Sequence, residues 1–176
     1  MLNGNFHPLH FLWVVFILVL IPTVVVYILI NRLPDEKGNN SRLSYRDPIV
    51  SFLLGLLSAA VWLSWSPRSN IETFFLRGAP NNFPEWQIIC CGIFLIIGSS
   101  IIAYVNSESV KESLIISLLT GSGFSAAFAV DASFGTSSQE GIGVVFAFAG
   151  VTLLCIPLNL LSVAIRRIAN RRNPTK

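Results

Sequence analysis

The residue types that carry most enzyme chemistry are few and scattered in this chain: His7 and His10, the cysteines Cys90, Cys91 and Cys155, and nine carboxylates. A serine nucleophile needs a base within hydrogen-bond reach. Gly121-Ser122-Gly123 presents a serine, but both histidines belong to the N-terminal end of the sequence. A paired-aspartate site fails because Asp131 is the only Asp in the second half of the chain. The cysteines sit in apolar runs without CxxC spacing or a nearby histidine, so they read as small buried hydrophobes and not as zinc ligands. His7, Glu72, Glu85, Asp131 and Glu140 fall on one side of the topology derived below, yet nothing in their spacing compels a metal cluster. The expectation is a protein without catalytic residues, metal or cofactor.

Three polar residues attract attention for a different reason. Thr120, Ser122 and Asn159 are embedded in long apolar runs, where a polar side chain either bonds a neighbouring helix or lines a path for a solute. They are the candidates for a polar path.

The elements that must position these residues are membrane helices. Of 176 residues 53% are hydrophobic and 12% charged, about half the charge of a soluble domain. A spanning helix needs about 20 mostly apolar residues. Five segments qualify, near 11–30, 48–65, 86–105, 113–130 and 142–165, with the fourth the weakest because it is rich in Gly and Ser. The fold class expected is all-α: a polytopic membrane protein with about five transmembrane helices in one bundle, residues 1–176 forming a single transmembrane domain that ends in a basic tail, 166–176. A cleaved signal peptide is not expected, since no Lys or Arg precedes the first apolar run.

Orientation follows from the basic residues, which are retained on the cytoplasmic side of short loops. With five spans, Arg32, Lys37, Arg42, Arg46, Lys111, Arg166, Arg167, Arg171, Arg172 and Lys176 share one side, and only Arg68 and Arg77 take the other. The N-terminus is therefore expected outside and the C-terminus in the cytoplasm. Losing one later span would separate the two basic clusters, which disfavours four. The aromatics agree, with Trp13, Trp62, Trp65 and Trp86 towards the outer interface and Tyr27, Tyr45 and Tyr104 towards the inner.

Small residues at i, i+4 spacing permit close helix approach. Ser51, Gly55 and Ala59, then Gly123 with Ala127, and Gly143 with Ala147, are expected to serve helix packing or the seam of a homo-oligomer. Ser99 with Ala103 forms a similar pair. Span one, almost wholly Leu, Ile, Val and Phe, reads as peripheral, and Pro22 and Pro157 should bend their helices.

These features together predict a non-catalytic multi-pass subunit that anchors, scaffolds or senses for a partner complex. Its partners would be the lipid bilayer, a second copy of itself and an acidic cytosolic protein held by Arg42, Arg46, Arg166, Arg167, Arg171 and Arg172. Direct nucleic-acid binding is not expected, because the basic residues punctuate apolar runs and form no polar domain. An oligomeric channel, pore or small-solute transporter is the alternative. Size alone invites analogy with small membrane components of bacterial phage-defence or secretion systems, which would place the chain in the bacterial inner membrane.

Overall fold

The computed structural model describes residues 6–34, 44–65, 83–134 and 139–172. Among them every regular element is helical: α1 (Pro8–Asn31), α2 (Arg46–Leu63), α3 (Glu85–Asn106), α4 (Val110–Asp131) and α5 (Gln139–Arg172). All five are long and apolar enough to cross a bilayer. Arg42 and the Glu72 and Glu140 side chains lie outside the described residues, as do the side chains of Asp131, Arg171 and Arg172.

Each helix buries a narrow stripe whose composition explains the packing. On α2 the buried residues are Asp47, Ser51, Gly55, Ser58 and Ala59, while Ile49, Val50, Leu53, Leu57 and Val61 are exposed. On α3 the buried set is Gln87, Cys91, Leu95, Ser99 and Ala103, spaced four residues apart, with Ile88, Ile89, Ile93, Phe94, Ile97 and Ile101 facing outward. A water-soluble bundle has the opposite polarity, with large aliphatics inside. On α2 and α3 the buried faces are mostly small and polar residues, which let backbones approach and bond across helices.

α4 is the hub. It contacts all four of the other helices, and 72% of its apolar window is buried, against 17% in α1. Its start is fixed by the sequence Ser109-Val110-Lys111-Glu112, a reciprocal cap. The Glu112 backbone N–H donates to Ser109 Oγ (3.2 Å), and Ser109 N–H donates to Glu112 Oε2 (3.1 Å). The same oxygen accepts the Glu108 N–H at 2.6 Å.

α1 is peripheral and buries only Val14, Val19 and Ile30. Its middle, Val15–Leu20, is π-helical, and the Ile21 N–H reaches back five residues to the Phe16 carbonyl. The widened turn comes immediately before Pro22, which has no N–H to give to an i−4 carbonyl. The proline thus accompanies a local change of helix winding.

Cross-links at the helix ends fix an alternating up-and-down arrangement. At one end Asn106 Nδ2 donates to Asp47 Oδ1 (2.9 Å) and Arg166 Nη1 to the Ser107 carbonyl (2.8 Å), joining the start of α2, the end of α3 and the end of α5. At the other, Gln87 Nε2 donates to the carbonyls of Trp62 and Trp65, satisfying the last turn of α2 from the first turn of α3. The Trp65 and Trp86 rings meet there at 6.3 Å.

Candidate functional site

The geometry of α4 decides which polar residues meet. Successive residues turn by about 100° around a helix, so positions three or four apart share a face and neighbours do not. Thr120 and Gly123 face α2. A Cβ on Gly55 would run into the Thr120 carbonyl, and one on Gly123 into the Phe52 carbonyl. Ser122 faces α1, where its hydroxyl lies 2.7 Å from Thr23 Oγ1. Ser113, Ser117 and Gly121 form a third stripe, towards α5. The three polar-path candidates therefore do not converge: Thr120 donates to the Ile116 carbonyl and Ser122 to the Leu118 carbonyl, away from Asn159.

Asn159 gathers a different set. Fully buried on α5, it donates through Nδ2 to Ser99 Oγ of α3 (2.7 Å) and to Ser117 Oγ of α4 (2.8 Å). Cys155, one turn earlier on α5, is buried on the same face. This three-helix knot contains Ser117, which no sequence criterion had singled out. A visible signal existed: Ser113, Ser117 and Gly121 repeat at i, i+4 and i+8.

The seam candidates divide in the same way. Ser51 is buried and donates to the Asp47 carbonyl, Gly55 and Gly123 form the α2–α4 contact, and Ala59 packs beside Cys91, Leu95 and Phe124. Ala127 and Ala147 are half-buried against that same cluster. Gly143 has open space where a side chain would stand.

Among the described docking candidates, Arg46, Arg166 and Arg167 fall at the end of the bundle that holds the α3–α4 turn. Arg167 donates through Nε (3.2 Å) and Nη2 (2.7 Å) to the Glu108 carbonyl, and Arg166 lies 3.8 Å from the Glu108 carboxylate besides bonding Ser107. Arg46 is on the same end, stacked over its neighbour Tyr45 with 5.6 Å to the ring centroid. Two of the expected docking arginines thus also clasp the turn between α3 and α4. Comparison with protein-family models, curated proteins and solved structures finds no match. The reading of this chain rests on its own residues.

Small buried hydroxyls line the helix contacts. Each buried hydroxyl on α2, and Thr120, Ser122 and Ser117 on α4, returns its proton to a carbonyl four residues back, and Ser117 Oγ then accepts from Asn159 on α5.

Proposed function

We propose that this chain is an integral membrane subunit, without catalytic activity of its own, that anchors or senses for a partner complex and docks an acidic cytosolic protein on its basic end. Membrane residence is supported by the inside-out polarity of α2 and α3 and by the apolar belt around the bundle, far larger than the few hundred Å² that a soluble monomer leaves exposed. Basic residues on short loops favour the cytoplasm for that end.

The observation that carries the docking reading is the length of α5. Its 34 residues would extend about 51 Å, against about 30 Å of hydrocarbon and 40–45 Å with headgroups. On this proposal the surplus extends from the C-terminal end, where the last turns carry Arg166, Arg167, Arg171 and Arg172 on a continuous helix. Rigid presentation lowers the ordering cost of binding an acidic surface. Anionic lipid is the competing occupant, attracted at about 1 kcal/mol for each basic residue near the surface.

Because Arg166 and Arg167 also hold the α3–α4 turn, the cleaner test reverses Arg171 and Arg172 to Glu. With insertion confirmed by reporter fusions at Lys37 and the C-terminus, co-purification of a stoichiometric, salt-sensitive partner should fall at least tenfold. Unchanged recovery would refute docking on this helix. Self-association belongs to the same proposal, and its seam narrows to the Gly143 side of α5, since Gly55 and Gly123 are occupied within the chain.

A further inference from the structure

Proton bookkeeping around Asn159 leaves an atom over. Ser117 gives its hydroxyl proton to the Ser113 carbonyl (2.9 Å), and Ser99 Oγ of α3 faces the Asn159 amide. Both oxygens accept from the Asn159 amide, so its two N–H bonds are spent and its orientation is fixed. Oδ1 remains, on a residue with no exposed surface, and finds no partner among the described residues.

It is not alone. Ser113 Oγ, Thr152 Oγ1 and Ser107 Oγ are also buried and unpartnered among the described residues, as is Gln87 Oε1 at the far end of the bundle where α2 meets α3. All but Gln87 belong, with Asn159, to one tract of the bundle. Ser113 is one turn from Ser117 on α4, Thr152 lies two turns before Asn159 on α5 beside Gly121, and Ser107 ends α3 under Arg166. Along α5, from Thr152 to Arg166, this tract is about 20 Å long. Elsewhere in the bundle Ser51, Ser58 and Thr120 return their protons to their own helices. Ser113 and Thr152 do not.

Buried polar atoms are nearly always paired, and internal water is what pairs those that protein groups miss. We propose that the α3–α4–α5 junction is a hydrated slot, with water donating to Asn159 Oδ1 and bridging to the Ser113 and Thr152 hydroxyls. Water fits this chemistry because it supplies the donor that a carbonyl oxygen lacks and the donor and acceptor that a hydroxyl needs. A monovalent cation fits less well: the unpartnered atoms are neutral, and the nearby Glu112 carboxylate accepts the Glu108 and Ser109 N–H groups.

The native cysteines test this in the intact protein. Cys155 lies one helical turn before Asn159 on α5, whereas the equally buried Cys91 donates to the Ser58 carbonyl (3.7 Å) on the α2–α3 side. Full-length protein in lipid vesicles is moved into D2O and the S–H to S–D exchange followed by infrared absorption, with bands assigned through Cys155→Ala and Cys91→Ala. Cys155 should exchange at least tenfold faster than Cys91. Equal rates, or a slower Cys155, overturn the proposal, since opening of the whole bundle would affect both alike. Asn159→Leu, where it folds, should slow Cys155 to the rate of Cys91, and an unchanged rate would also overturn it. The wild-type comparison decides the question if that variant does not fold.

Discussion

α1 and α4 are both long apolar helices, yet they have opposite roles. α1 carries the large apolar side chains of Leu12, Phe16, Ile17, Leu20 and Val25 on exposed surface, while α4 buries Ser113, Ser117, Thr120, Ser122 and Ser125 at the centre of the bundle. In lipid a leucine gains little by moving from tails to a neighbouring helix, whereas a serine gains a hydrogen-bond partner and a glycine lets a backbone come close. The least greasy faces therefore collect inside. The helix that looked weakest as a span is the one that the others pack around.

That comparison breaks most visibly at the α2–α4 contact. Gly123→Leu would drive a side chain into the Phe52 carbonyl, and Gly55→Leu one into that of Thr120, where backbone and not a flexible side chain is the obstacle. We expect each to cost about 3 kcal/mol or more, at or beyond the upper end for overpacking. Loss of a monodisperse peak and a large drop in thermal midpoint in detergent would be the sign. Survival of both variants with wild-type midpoints would mean that α4 is not the hub.

Next in size is the Asn159 knot. Asn159→Ala removes two interhelical hydrogen bonds, which in membranes average about 0.6 kcal/mol and reach about 1.7. A loss of about 1–2 kcal/mol in unfolding titrations is expected. Smaller still is Thr23→Val, which deletes the contact of α1 with Ser122 and should cost about 0.6 kcal/mol. A larger loss from Thr23→Val than from Asn159→Ala would invert the ranking of centre and periphery. At the bottom stands Gly143→Ala, with open space around it and an expected change within about 0.5 kcal/mol. Should that substitution instead alter native mass, the Gly143 side of α5 is a seam between copies.

How far the site was legible follows from the same physics. The Ser51, Gly55, Ala59 stripe pointed to a close helix contact and the structure supplies one, though with α4 of the same chain. Thr120, Ser122 and Asn159 shared a reading because hydropathy treats depth alone. Their rotational positions, set by which partner each helix meets, separate them. Gln87 was missed because its role depends on the end of α2, which no local pattern around residue 87 reveals.

What the sequence by itself determined is the set of five apolar helices and the exposed character of α1, because each depends on a short run of residues and its solvent. Only the tertiary structure decided that α4 is central, that Ser99, Ser117 and Asn159 form one knot, and that Arg166 and Arg167 clasp the α3–α4 turn. Those facts depend on the rotation of each helix about its own axis. That rotation is set by interhelical fit, and apolar composition, nearly indifferent between lipid and helix, leaves it open.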